Sequence, residues 1–138
     1  IEAVDHAAGT VAGLLERKLA AAGPAAGFEA FLTTWRAIVL DSDFRAGCPL
    51  LAVSIEEPAE NGGAEILDAA ARGFGEWRRL LAESLRAHGV EENAARQLAT
   101  LVIASVEGAL AMCRAARDIQ PLDDVSAQLK ALIDGALA

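Results

Sequence analysis

One long apolar stretch constrains the fold of this chain more than any other feature. Residues 91–118, EENAARQLATLVIASVEGALAMCRAARD, contain no proline and only one glycine, so nothing within them ends a helix. At helical spacing, larger apolar side chains cover one broad side of this stretch. A second line holds only the small residues Ala104, Gly108, Ala111 and Ala115. Because a helix that is apolar nearly all round is buried, we predict a central helix with one face on its own domain and another face on a second helix.

The composition favours one domain that has an interface or an apolar cavity. The chain has 138 residues, of which 54% are hydrophobic, and its formal net charge is −8. Its twelve Lys and Arg residues form no run, so the surface repels phosphate and is not expected to bind nucleic acid by itself. Thr100, Ser105 and Glu107 interrupt the central stretch, so a membrane span is not expected. The first residues show no signal-peptide pattern.

The remaining sequence shows helical periodicity separated by clear breaks. The predicted helices, including the central one, are residues 4–22, 28–39, 50–57, 67–85, 91–118 and 122–137. The predicted breaks are Gly23-Pro24, Asp41 to Asp43, Pro58 with Asn61-Gly62-Gly63, His88-Gly89 and Pro121. Pro49 suits the first position of the third helix, which is expected to be short and mostly buried. No alternating strand pattern is present, so the predicted fold class is all-α with six helices.

Three stretches resemble the C-terminal domain of TetR-family transcriptional regulators. They are SDFRAGCPL at 42–50, WRRLL at 77–81, and VEGAL at 106–110 followed by RAARD and PL at 114–118 and 121–122. The Gly-Cys-Pro turn is similar to the branch that includes repressors of drug-efflux and lincomycin-resistance genes. That family begins with a helix-turn-helix domain of three helices, and Ile1 would fall at or near the start of its fourth helix. The DNA-reading domain is therefore expected to be absent from this chain.

The resemblance implies a homodimer that senses a small molecule. The last two helices, 91–118 and about 122–137, would form a four-helix bundle with the partner copy. The line of small residues on the central helix would contact the partner, together with Leu129, Leu132 and Ile133. A pocket between the other helices would bind a small, largely apolar effector, whose binding tilts the first helix and releases the operator DNA. Such a repressor would be cytoplasmic, with no membrane contact, no enzymatic activity, no cofactor and no metal.

Aromatic side chains are the first candidates for the effector pocket. Trp35, Phe74 and Trp77 offer aromatic walls and a polar indole N–H, although ordinary core packing is the competing interpretation for each. The weaker candidates, for which a core role is simpler, are Phe31, Ile38, Phe44, Ile103 and Leu110. Glu107 lies among apolar turns and needs a partner or a raised pKa. Either it binds a cationic effector, or it pairs with a nearby Arg or caps a backbone group at the subunit contact.

Two other classes of function remain open at this stage. One is a helical dimerisation module without a ligand, and the other is a small helical enzyme acting on an apolar substrate. A carboxylate pair such as Glu56 and Glu107 could do acid–base work, but the sequence does not place the two together. Cys48 and Cys113 match no metal spacing and are expected to be inert buried thiols. His6 and His88 lack the helical spacing of metal ligands.

We predict that residues 1–138 alone do not bind DNA in a sequence-specific manner. The charge of −8 opposes contact with phosphates, which supply most of the affinity in non-specific binding and much of it in specific binding. A gel-shift assay at low salt, with labelled duplexes and excess unlabelled competitor, measures this directly. Retardation of a duplex that survives the competitor would contradict the prediction.

Overall fold

The described part of the chain consists of helices. The computed structural model describes residues 1–57 and 60–138, and within these ranges five helices and no strands occur. The helices are α1 (Glu2–Asp41), α2 (Pro49–Ile55), α3 (Gly63–Ala87), α4 (Glu92–Ala116) and α5 (Gln120–Leu137). Helix α3 packs against both α1 and α4, and α5 packs on α4 and α1. The predicted all-α fold is confirmed.

Helix α1 unites the first two predicted helices and is broken where the sequence predicted a break. Gly23 has φ 85° and ψ −173°, which is not helical, and Pro24 follows it. This backbone conformation is essentially restricted to glycine. The imidazole of His88 also lies against this position, because a Cβ on Gly23 would be 3.2 Å from the His88 Nε2. The predicted six helices thus become five, with α1 divided at Gly23 into a first and a second segment.

Helix α2 is shorter and more exposed than predicted. It begins at Pro49 as expected, but it ends at Ile55 and not at Glu57, because Glu56 is extended with φ −82° and ψ 151°. The expectation that it is mostly buried is wrong, since Leu50 is its only buried residue and Ile55 is 74% exposed. One face of this short helix packs on α3 and α1. Pro58, the predicted stop, lies outside the described residues.

The contact between α1 and α3 is close and directional. Trp77 of α3 is fully buried, and its indole N–H donates to the Ala8 carbonyl of α1 at 3.0 Å. Gly73 lies one turn earlier on α3, where a Cβ would be 2.8 Å from the Ala8 Cβ and 2.5 Å from the Leu50 Cδ2. The absence of a side chain at Gly73 therefore lets the first segment of α1 approach α3.

Helix α4 is the central helix predicted from residues 91–118. It spans Glu92–Ala116, and the Glu91 carboxylate caps its N-terminus by accepting from the backbone N–H groups of Asn93 and Ala94 at 2.9 and 3.0 Å. One side is buried on α3 and α5, and a line of exposed residues runs along the other. In the part of the chain that the structure describes, α4 is the one helix long and apolar enough to cross a membrane. Core helices of soluble proteins meet the same criterion, and α4 has such a core face.

We predict that alanine at Gly73 and at Gly75 changes stability in opposite directions. Gly73→Ala forces a methyl group against Ala8 and should lower the free energy of unfolding by about 1 kcal/mol or more. Gly75 is exposed on the same helix with nothing within 4 Å of its Cβ direction, so Gly75→Ala should raise it by about 0.5–1 kcal/mol. Urea unfolding at one protein concentration measures both. Equal effects of the two substitutions would mean that α1 and α3 are not in close contact.

Candidate functional site

Four aromatic rings meet between α1 and α3. The ring centroid of Trp77 lies 5.7 Å from that of Phe31, 6.0 Å from that of Trp35 and 5.7 Å from that of Phe74. Phe31, Trp35 and Trp77 are at most 2% exposed, and the mostly edge-to-face contacts fill the space between them. The rings converge as the sequence suggested, but they form packed core. A ligand-binding role for Phe31, Trp35 and Trp77 stays a prediction.

The two indole N–H groups have different environments. The Trp77 N–H donates a hydrogen bond to the Ala8 carbonyl, so it is not available to a ligand. The Trp35 Nε1 is buried without a hydrogen-bond partner among the described residues. A buried donor left unpaired costs about 1–3 kcal/mol, so this group would favour any acceptor that reached it. Trp35 nevertheless lies deep in the core, away from the described cavities.

An apolar groove lies where α3, α4 and the start of α2 meet. We call it the α3–α4 groove, and its volume is about 440 Å³, within the range of about 300–1,000 Å³ typical of small-molecule sites. The residues that line it are Leu51, Phe74, Arg78, Thr100, Ile103, Ala104, Glu107 and Gly108. Phe74, Ile103 and Glu107 are sequence-predicted ligand residues that the fold brings together here. Leu51, Arg78 and Thr100 were missed, because only the positions of α2 and α3 against α4 reveal them.

A second groove continues along α4 on the other side of Leu51. The α2–α4 groove has a volume of about 540 Å³ and includes Leu110, another predicted ligand residue. Its other lining residues are Gly47, Cys48, Leu51, Ala52, Ile55, Glu56, Ala111, Arg114, Ala115 and Arg117. Ile38 and Phe44 are half-buried against the core and line neither groove. Glu56 and Glu107 line different grooves, so the fold does not present them as one acid–base pair.

Glu107 is the one buried charged residue of the described core. Its side chain is 5% exposed, and neither carboxylate oxygen has a hydrogen-bond partner in the described structure. Burial raises the pKa of Glu107 to about 7. The Cys48 thiol lies near it, and burial and then the charge of Glu107 raise the pKa of Cys48 to about 12. Cys48 is therefore a protonated, unreactive thiol at neutral pH, while Glu107 exchanges between two protonation states.

An apolar surface runs along the outside of α4 and α5. We call it the α4–α5 outer face. On α4 it includes the small residues Ala104, Gly108, Ala111 and Ala115, all exposed. Leu101, Met112 and Leu132 are 46%, 61% and 49% exposed on the same helices. The sequence placed Leu101 and Met112 on the broad apolar side of the central helix. Both lie next to the line of small residues, and this position could have indicated that they face outward.

Two residues expected at the subunit contact also belong to the core of the single chain. Leu129 and Ile133 are each 3% exposed. Leu129 lines a shallow groove with Leu101 of α4 and Leu132 of α5, next to the outer face. A role for Leu129 and Ile133 at the subunit contact stays a prediction.

Comparisons with known proteins show the family of this chain. Residues 24–128 match the family described as "Transcriptional regulator LmrA/YxaF-like, C-terminal domain", a TetR-type domain. Two similar proteins are the uncharacterized HTH-type transcriptional regulators MT0206 and Rv0196, from Mycobacterium tuberculosis strains CDC 1551 / Oshkosh and ATCC 25618 / H37Rv. Each is 37% identical over 135 residues, which cover 96% of this chain and 68% of the relative. The chain belongs to the TetR family of transcriptional regulators and corresponds to the C-terminal domain of its LmrA/YxaF-like branch.

Proposed function

We propose that this chain is the effector-sensing and homodimerisation domain of a TetR-type repressor that a small, mainly hydrophobic molecule releases from operator DNA. The observation that carries the proposal is the position of two apolar surfaces on one helix. Helix α4 contributes one wall of the α3–α4 groove and the centre of the α4–α5 outer face. A ligand and a partner subunit therefore contact the same rigid element.

The α4–α5 outer face supports dimerisation through its shape and its chemistry. Large apolar side chains that are half-exposed and close together mark interaction surfaces. Here Leu101 and Met112 are exposed on α4, which also carries the line of small residues along which a second helix can approach closely, and Leu132 of α5 shares a shallow groove with Leu101. A second copy of α4 and α5 placed there would form a four-helix bundle and cover all three side chains.

A chain of contacts leads from the groove to the first segment of α1. Phe74 lines the groove, its ring packs at 87° on Trp77, and Trp77 donates to the Ala8 carbonyl. A ligand that displaces Phe74 acts on the element that holds α1 in place. A ligand can shift the equilibrium between two positions of α1 only if it binds one of them more tightly. The difference between the two binding free energies is the coupling energy.

Operator binding is assigned to a helix-turn-helix in the full-length protein. The relatives are named HTH-type regulators, and this chain spans 68% of their length. The net charge of −8 suits a sensing domain more than a DNA-reading one. The regulator acts in the cytoplasm, where its operator is.

We predict that Leu132→Arg and Gly108→Arg each disrupt a homodimer. A charge buried at the contact without a partner costs several kcal/mol, enough to separate the subunits at low micromolar concentration. Gly108 is exposed, and a Cβ there meets nothing within 4 Å inside the chain, so the new side chain starts without a clash in the monomer. Light scattering coupled to size-exclusion chromatography gives the mass of each variant.

Leu67→Arg is the matched control for this prediction. Leu67 is 37% exposed on α3, outside the outer face, so the same change should leave the dimer intact. The interface assignment is wrong if both Leu132→Arg and Gly108→Arg keep the dimeric mass. It is also wrong if Leu67→Arg dissociates the dimer to the same extent as they do.

A further inference from the structure

Glu107 lies in an apolar wall without any group that balances its charge. It is 5% exposed, and both oxygens lack a hydrogen-bond partner among the described residues. A buried carboxylate that ionises without a counter-charge is strongly disfavoured. When Glu107 is ionised, such a site gains more from a positively charged ligand than from a neutral one.

The side chains around the groove do not supply that counter-charge. Arg78 of α3 is exposed and forms no ion pair in the described part of the chain. The Thr100 hydroxyl on α4 is already used, since it donates to the Arg96 carbonyl at 3.0 Å. Cys48, which precedes α2, is a neutral thiol beside the carboxyl group. In the described part of the chain no cation pairs with Glu107, which leaves its carboxylate available to a positive group from outside the chain.

The rest of the groove suits an apolar body. Phe74 offers a ring, and Leu51 and Ile103 are aliphatic. The volume of about 440 Å³ is sufficient for a molecule of two or three fused or linked rings. An anionic ligand would be opposed both by Glu107 and by the net charge of −8.

We propose that the α3–α4 groove binds a lipophilic organic cation, whose positive charge pairs with the Glu107 carboxylate and whose rings pack against Phe74 and Ile103. This proposal rests on the proposed function and specifies the effector class. It adds one charge to the largely apolar effector that the family resemblance implies. The groove is continuous with the outer face at Ala104 and Gly108, so a partner subunit placed there would close the site.

The test uses residues 1–138 and three fluorescent probes of defined charge. Thioflavin T is a permanent cation, N-phenyl-1-naphthylamine is neutral, and 1-anilinonaphthalene-8-sulfonate has the body of the neutral probe with an added negative charge. Wild-type protein should bind the cation, and Glu107→Gln should weaken that binding at least about tenfold, because a buried charge pair is lost. The same substitution should change the affinity of the neutral probe less than about twofold. Phe74→Ala should weaken the binding of thioflavin T and of the neutral probe.

A pH series on the wild-type protein provides a measurement that does not depend on the folding of any variant. The pKa of Glu107 is raised to about 7, so the carboxylate that the cation needs is mostly protonated at pH 6 and mostly ionised at pH 8. Affinity for thioflavin T should therefore rise about tenfold between these values, since it follows the ionised fraction. Cys48, whose pKa is raised to about 12, stays neutral over this range. Glu107→Gln removes the rise, and this separates Glu107 from the histidines elsewhere in the chain.

The outcomes distinguish this proposal from the proposed function. If Phe74→Ala weakens binding of the neutral probe, while the affinity for thioflavin T changes neither in Glu107→Gln nor with pH, the cation proposal is overturned and the effector groove stands. If no probe depends on Phe74, the effector groove and the cation proposal both fail. If Glu107→Gln weakens the dimer and leaves thioflavin T binding unchanged, a basic side chain of a second copy is the partner of Glu107, and the proposal is overturned.

Discussion

The hydrogen bond from the Trp77 indole to the Ala8 carbonyl, 3.0 Å long and fully buried, is the contact on which the arrangement of this domain depends. It fixes the first segment of α1 against the middle of α3, and Gly73 permits the close approach that it requires. The same indole ring packs on Phe31, Trp35 and Phe74. One side chain thus joins the core, the segment before the Gly23 break and the ring that lines the groove.

The surface of helix α4 is divided lengthwise, and this division allows the three roles that the proposed function assigns to the helix. The buried side, with Val102, Val106 and Cys113, holds the domain together. The outer side carries the small residues that a second subunit can cover. Glu107 lies at the boundary between them, buried from solvent but facing a groove, and the pKa of about 7 is the physical consequence of that position. A regulator needs its ligand and its partner to act on shared structure, and this division provides it.

The sequence was sufficient to predict the helices, because periodicity, Gly23 and Pro49 are local signals. It also predicted the TetR family, which the comparisons confirm. It did not predict which faces are covered, because spacing identifies an apolar stripe but not the element that packs on it. Helix α2 was therefore expected to be buried and is exposed, whereas Leu129, expected at the interface, is also buried against its own domain. The tryptophans were expected to border a cavity; in the single chain they pack against Phe31 and Phe74, and their role in ligand binding stays a prediction.

The central claim is that occupancy of the α3–α4 groove reaches the contact between α3 and α1. The chain has two tryptophans, so a ¹⁵N NMR spectrum shows two indole N–H signals, assigned with Trp35→Phe and Trp77→Phe. Titration with thioflavin T should shift the Trp77 indole signal, because its ring packs on Phe74 and its N–H is bonded to α1, and should shift that of Trp35 less. Saturable binding that leaves the Trp77 indole signal unmoved would contradict the account.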